Sequence, residues 1–256
     1  MASGFIKRLI DSYVRPVRRA LRPTRYVNYG GIKISYRPEL DGGGTHFGQD
    51  FLPYLRARGM PRQQRVFEWC SGPAFIGFSM LGNGLSETLC LADINSRAVA
   101  SCRNTVSVNG LGDRVSVYES NNLRSIPDSE RWNLVVSNPP HFIDERFEGQ
   151  LLAYDPGWSI HREFLTTVGP FLADGGVIVL QENNAGSTAE SFRRMIEDAG
   201  LQIVFVDGES PTLTKESVFY YLGIMRQGEA APPWANTRVE RVRDASSQEW
   251  SWRRLH

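Results

Sequence analysis

From Arg65 onward, short apolar β-type runs alternate with segments of helical periodicity, and this alternation narrows the possible folds more than any other feature. Strand candidates are residues 65–70, 88–93, 115–119, 132–137, 177–182, 202–206 and 217–225; helix-like segments lie near 75–81, 96–108, 160–172 and 187–199. A strict βαβα order predicts an α/β fold with a doubly wound, mostly parallel sheet of seven strands. Residues 207–215 are too few for a helical crossover, so the last two strands are expected as an antiparallel hairpin at the sheet edge.

One strand boundary is sharper than the rest. The run Trp132-Asn133-Leu134-Val135-Val136-Ser137 reads as a buried strand, and Asn138-Pro139-Pro140-His141 closes it. Neither proline donates a ladder hydrogen bond and both have fixed φ, so the strand cannot continue. A rigid turn with a polar tip therefore stands at a carboxyl strand end, the edge where open α/β sheets bind ligands. The Asn138 amide oxygen and the Pro139 carbonyl can both accept hydrogen bonds from one NH2 group. Such a clamp holds a planar amide or amine nitrogen and aims it at an electrophile.

The earlier strand ends carry further candidates. The first reads Phe67-Glu68-Trp69-Cys70, followed by Ser71-Gly72-Pro73-Ala74-Phe75-Ile76-Gly77. This small-residue turn suits close approach of backbone to a ligand, or plain packing, and lacks the G-x-G-x-x-G spacing of a dinucleotide site. Asp93 ends the second strand, 25 residues after Glu68, where a carboxylate accepts both hydroxyl protons of a ribose diol. Its competing role is to cap the next helix, for which Asn95 or Ser96 serves equally well. At the third tip, Asn121 or Asn122 either reads an adenine amino group or simply makes the turn.

A net charge of +1 over 256 residues gives the molecule as a whole no reason to bind nucleic acid nonspecifically. Cys70, Cys90 and Cys102 are odd in number and lack zinc-ligand spacing, so reduced thiols, a cytoplasmic location and no metal site are expected. No apolar run approaches the ~20 residues that span a bilayer. Charge is nonetheless uneven. Residues 1–26 carry Lys7, Arg8, Arg15, Arg18, Arg19, Arg22 and Arg25 against Asp11 alone, on an amphipathic pattern broken by Pro16 and Pro23. This stretch either packs on the core with solvated arginines or docks RNA, a ribosome or an acidic membrane. Residues 26–36 suit a hairpin around Gly30-Gly31. The glycine-dense loop 41–48 is a connector or a lid, with Phe47 and Gln49 facing inward. Residues 227–256 are polar and expected to be irregular, with Trp234, Trp250 and Trp252 as anchors.

In this order the pieces resemble the class I S-adenosylmethionine-dependent methyltransferases over about residues 62–226. Ser137-Asn138-Pro139-Pro140-His141 is similar to the Asn-Pro-Pro-aromatic motif of enzymes that methylate amide and amino nitrogens. These include protein-glutamine methyltransferases and enzymes acting on exocyclic amines of adenine or guanine. The resemblance implies S-adenosyl-L-methionine as cofactor, held by Glu68, Cys70, Gly72, Ala74, Asp93, Asn121, Asn122 and Asn138. It implies that Asn138 and Pro139 grip the acceptor nitrogen. His141 stacks on a planar substrate, takes the departing proton, or is a surface histidine. Pro140 and Phe142 would join the substrate wall, and Tyr154 and Trp158 in the loop beyond either stack on a substrate or pack against the next helix. Two departures stand out: Cys70 replaces the first glycine of the family's Asp/Glu-x-Gly-x-Gly-x-Gly pattern and Ala74 the third.

The resulting organisation is an N-terminal basic helix and substrate or lid extension (1–60), a methyltransferase domain (61–226) and a C-terminal tail (227–256). A protein glutamine or a small-molecule amine or amide is the expected methyl acceptor. A nucleobase of RNA, reached through the basic N-terminus, is the alternative. A catalytically degenerate binding module is a second alternative, motivated by Cys70 and Ala74. A nicotinamide dehydrogenase leaves Asn-Pro-Pro without a purpose.

Overall fold

A computed structural model describes residues 23–46, 48–214, 217–243 and 250–255. The basic stretch of residues 1–26, apart from its last four positions, and Phe47 lie outside the described residues. Strands β1 (Arg25–Tyr29) and β2 (Ile32–Tyr36) form an antiparallel hairpin. Its turn places Gly30 at φ 58° and Gly31 at φ 88°, the left-handed pair that a tight hairpin turn needs. Helix α1 (Phe51–Ala57) follows, then the alternating series predicted from sequence. That series is β3 (Gln63–Trp69), α2 (Phe75–Gly82), β4 (Ser86–Asp93), α3 (Ser96–Val108), β5 (Val115–Glu119) and β6 (Trp132–Ser137). It continues with α4 (Ser159–Val168), β7 (Leu172–Asn183), α5 (Ala189–Asp198), β8 (Leu201–Asp207) and β9 (Phe219–Arg226).

The seven strands lie in the order β5-β4-β3-β6-β7-β9-β8. Strands β3 to β7 pair in parallel, and β9 runs antiparallel to both β7 and β8. The expected hairpin is present, but β9 inserts beside β7 and leaves β8 as the edge. The chain winds from β3 through β4 to β5 in one direction and from β6 to β7 in the other. The reversal falls between β3 and β6, the switch point at which doubly wound sheets leave a crevice.

Both faces of the sheet are covered, so its strands are near-continuous apolar runs. One face packs Val66, Leu91, Val136 and Val179 against Phe75, Phe78 and Met80 of α2. The other packs Phe67, Trp69, Val135 and Ile178 against Phe164 of α4 and Phe192 and Ile196 of α5. Trp69 stacks on Phe164 with ring centroids 3.9 Å apart, and Phe67 stacks on Trp132 at 4.0 Å. Helix α4 ends earlier than its periodicity predicts. Pro170 follows it in a 3-10 turn, and β7 already begins at Leu172.

The N-terminal hairpin is seated without side chains at its closest point. A Cβ at Gly30 would stand 2.3 Å from the Gly82 carbonyl carbon, and a Cβ at Gly82 would stand 2.3 Å from the Tyr29 oxygen.

The tail is not irregular. Strands β10 (Val239–Arg243) and β11 (Trp250–Arg254) form an antiparallel hairpin. Trp234 and Trp252 are buried, whereas Trp250 is exposed. Alternation of Val239, Arg241 and Arg243 with Glu240 and Val242 is too weak a pattern to announce a strand. What holds the hairpin is tertiary. Trp252 packs on Tyr54 and Tyr221, which themselves stack 3.8 Å apart, and its indole N–H donates to Asp50 at 2.9 Å. Trp252→Ala should therefore lower the unfolding free energy by about 3–5 kcal/mol in urea titration. A loss below ~1 kcal/mol would show that the hairpin is not part of the core.

Candidate active site

A cavity of about 140 Å³ opens at the carboxyl ends of β3, β4, β5 and β6. Glu68, Cys70 and Gly72 line it from the first tip, Asp93 from the second, Asn121 and Asn122 from the third, and Asn138 and Pro140 from the fourth. Residues scattered over 70 positions of sequence thus share one wall because parallel strands present the same end.

The turn after β3 has an unusual backbone. Cys70 (φ 50°), Gly72 (φ 52°) and Ala74 (φ 61°) all adopt the left-handed conformation. Glycine does so freely; an L side chain costs about 1–2 kcal/mol there. The two non-glycine residues therefore keep the glycine path of the turn. Neighbouring bonds impose it: the Gly72 N–H donates to Asp93 Oδ2 at 2.7 Å, and Cys102 Sγ lies 3.2 Å from the Gly72 carbonyl oxygen. Ala74 is buried at the start of α2 and does not line the cavity.

Glu68 accepts the Gly77 N–H at 2.6 Å. Burial pushes its carboxyl up to about 8, against the pull of the Gly77 and Ile76 amides. It is therefore largely protonated at neutral pH. Burial also raises Asp93, while amides of Asn95, Gly72 and Ile94 oppose the rise. Asn95, not Asp93, caps α3, accepting the Arg97 N–H at 3.1 Å. Asn122 sits at φ 55° and donates through Nδ2 to the Ile160 carbonyl at 3.0 Å. Its Oδ1 is buried with no hydrogen-bond partner among the described residues.

Asn138 is half-buried, and its amide makes no hydrogen bond among the described residues. Pro139 is buried and stands outside the lining. The expected aromatic wall is absent. His141 is buried and turned away from the cavity, with Nδ1 3.5 Å from Glu182 Oε2, so it neither stacks on a ligand in the cavity nor lies at the surface. Phe142 stacks on Phe147 at 4.3 Å, the half-buried Tyr154 packs against the Phe142–Phe147 cluster, and Trp158 packs on Phe192 and His161. None of these rings lines the cavity. Leu40, Leu151, Leu152 and Ile160 occupy the wall instead. Sequence reasoning passed over them, although Leu151-Leu152 is an apolar pair inside an otherwise polar loop beside the motif. The glycine loop contributes Gly42 and Gly44, and Gln49 pins it by donating to the Gly44 carbonyl at 3.1 Å.

Behind this wall lies a buried ionic cluster. His161 Nδ1 is 2.6 Å from Asp155 Oδ2, and Nε2 is 3.0 Å from Glu182 Oε1. Burial alone would push the imidazole down, but the Glu182 charge and hydrogen bonds to Asp155 and Glu182 hold it up to about 9. Glu182 is correspondingly lowered, because His161 and His141 outweigh its burial. An unfolded histidine titrates near 6.5, so the stability His161 contributes is complete below that pH and lost as pH rises through about 9. Unfolding free energy should fall across this window by roughly 3 kcal/mol at most. The fall should shrink in Glu182→Gln, as measured by urea titrations between pH 6 and 10; equal slopes would contradict the assignment.

Comparison with known proteins fits this geometry. Release factor glutamine methyltransferase from Leptospira interrogans is 23% identical over 195 residues, covering 73% of this chain and 57% of that protein. The tRNA1(Val) (adenine(37)-N6)-methyltransferase of Parabacteroides distasonis is 31% identical over 84 residues, covering 32% of this chain and 35% of the other. The chain thus spans less than two thirds of either relative. A Streptococcus pneumoniae structure, for which a tRNA (m1A22) methyltransferase activity has been suggested, shares the fold with a TM-score of 0.50 at 16% identity, covering 70% of each chain. The family of the methyltransferase small domain matches residues 43–199, more than half of the sequence, and the chain belongs to it.

Proposed function

We propose that this protein is an S-adenosylmethionine-dependent methyltransferase acting on an amide or amino nitrogen of a protein glutamine or a small-molecule amine. The observation that carries this reading is Asn138, whose unengaged amide stands on the wall of the cavity that Gly72 and Asp93 also line. The residues present fit the cofactor. The left-handed turn at Gly72 brings backbone close to a ligand, and the Asp93 carboxylate keeps lone pairs for a ribose diol beside its bonds to the Gly72 and Asn95 amides. The orphaned Asn122 Oδ1 offers an acceptor to an adenine amino group. When bound, S-adenosyl-L-methionine supplies an electrophilic methyl.

The chain's own contribution is position. Asn138 Oδ1 and the Pro139 carbonyl accept the two N–H groups of the acceptor and turn its lone pair toward the donor. The apolar side chains Leu40, Leu151, Leu152 and Ile160 exclude water from that contact. The clamp needs no strong base, because the nitrogen sheds its proton after methyl transfer has made it acidic.

Two observations favour a side chain or small amine over a nucleobase. The aromatic residues that follow the motif, His141, Phe142, Tyr154 and Trp158, do not line the cavity, where a flat base would call for a stacking ring beside Asn138. The adjoining loop carries Asp144, Glu145 and Glu148 against Arg146, an unfavourable border for phosphates. The Leptospira relative, named for glutamine methylation, matches more of the chain than the tRNA relative does. The basic residues 1–26 and the Parabacteroides relative support the RNA alternative. The degenerate-module alternative loses its motive, since Cys70 and Ala74 keep the glycine conformation. On this reading residues 61–226 form the catalytic domain, 1–60 its extension and 227–256 its tail, in a cytoplasmic enzyme.

Asn138→Ala should cut kcat/KM at least a thousandfold, about 4 kcal/mol of transition-state stabilisation, with cofactor affinity within threefold of wild type. Methyl transfer from labelled S-adenosylmethionine to fractionated extract, beside calorimetric titration of the cofactor, checks both. Retained turnover would reject the clamp. Label appearing in RNA fractions, with steep salt dependence, would select the nucleobase instead.

A further inference from the structure

We propose that Glu182 and His141 form a positioning pair that sets the Asn138-Pro139-Pro140 turn from behind, through a buried chain of polar contacts Asp155–His161–Glu182–His141. This inference rests on the methyl-transfer reading above and adds to it residues that touch neither ligand.

The chain is continuous and fully enclosed. His161 lies between two carboxylates, Asp155 Oδ2 at 2.6 Å and Glu182 Oε1 at 3.0 Å. Asp155, His161 and Glu182 have no exposed surface, and His141 is 2% exposed. With a carboxylate at each ring nitrogen, His161 donates from both. Glu182 is left with one oxygen, Oε2, which lies 3.5 Å from His141 Nδ1. His141 Nε2 has no partner among the described residues, so Glu182 provides the ring's one polar contact.

The backbone shows what this contact holds. His141 follows the two prolines directly, and proline rings leave the turn few internal degrees of freedom. Its orientation is therefore set at its two ends. At the near end, Ser137 Oγ donates to the Trp69 carbonyl at 2.6 Å. At the far end, the N–H groups of His141 and Phe142 both donate to the Ala153 carbonyl, at 3.1 and 2.9 Å, and the Asp155 N–H donates to the Phe142 carbonyl at 2.8 Å. Asp155 also receives the Ile160 and His161 amides at 2.8 and 3.1 Å. The Asp155 carboxylate thus receives the first-turn amides of α4 and feeds the chain, while its backbone N–H braces the segment of residues 141–142. Two side chains anchored in β7 and α4 hold a turn that lies on a different strand.

A buried polar contact of this kind adds little net stability compared with apolar packing, yet leaves a strong orientation requirement. A packed phenylalanine at 141 would fill the volume without fixing direction. An effect on kcat that exceeds any effect on folding separates positioning from mere structure.

The test compares His141→Phe, His141→Asn and His141→Gln, the second presenting an amide near the Nδ1 position and the third near Nε2. Each is measured for acceptor turnover, cofactor affinity and urea unfolding, and His141→Phe is also combined with Glu182→Gln. We expect His141→Phe to lower kcat at least tenfold with cofactor affinity within twofold of wild type. His141→Asn should recover most of that loss, and His141→Gln should not. The double variant should lose no more than the worse single variant. Full kcat in His141→Phe, equal behaviour of Asn and Gln, or additive losses would overturn the proposal. A wild-type protein that binds no S-adenosylmethionine would instead remove the methyl-transfer reading on which it rests.

Discussion

The cavity exists because the carboxyl ends of β3 and β6 are held side by side where the winding of the sheet reverses. Ladder bonds between these strands run only from Val66 to Glu68 on one side and from Leu134 to Val136 on the other. Beyond them the pair is closed by a side chain, the Ser137 hydroxyl bonded to the Trp69 carbonyl in a buried setting. From this fastening the first turn departs toward α2 and the Asn-Pro-Pro turn departs toward the loop. Both walls of the site inherit their spacing from one strand-to-strand contact. The Asp93 carboxylate adds a second tie between tips, to the Gly72 amide.

Electrostatics divides the site into two zones with different tasks. Facing the cavity are carboxyls raised by burial, Glu68 and Asp93, whose ionisation answers to whatever cation or hydroxyl comes near. Behind it lies a buried set in which His161 bridges Asp155 and Glu182. That division matches a front that binds and a rear that orients.

Sequence revealed the succession of strands and helices and the strand tips well because period and punctuation are local. Asn138-Pro139-Pro140 ends β6 by covalent geometry alone, and Gly30-Gly31 makes its turn for the same reason. The acid at 93 and the asparagines at 121 and 122 needed only the knowledge of which strand end they occupied. The failures share a different cause. His141, Tyr154 and Trp158 are aromatic residues near a site, and nothing local says whether such a ring faces a ligand or the core. Here Glu182 of β7 decides for His141 and Phe192 of α5 for Trp158, and both come from elsewhere in the fold. The β10–β11 hairpin escaped notice for the same reason, since Tyr54, Tyr221 and Asp50 hold Trp252 across more than 25 residues of sequence. Leu151 and Leu152 were legible only as an oddity of composition.

The bare contact between Gly30 and Gly82 has an evolutionary corollary. Each glycine excludes a methyl group at the other's backbone, so enlarging one cannot be compensated by shrinking its neighbour, which is already as small as a residue can be. Substitutions at this seam have no partner change to rescue them. Drift can rewrite the faces of α2 and of the hairpin, but it must preserve both positions together or abandon the docked arrangement altogether.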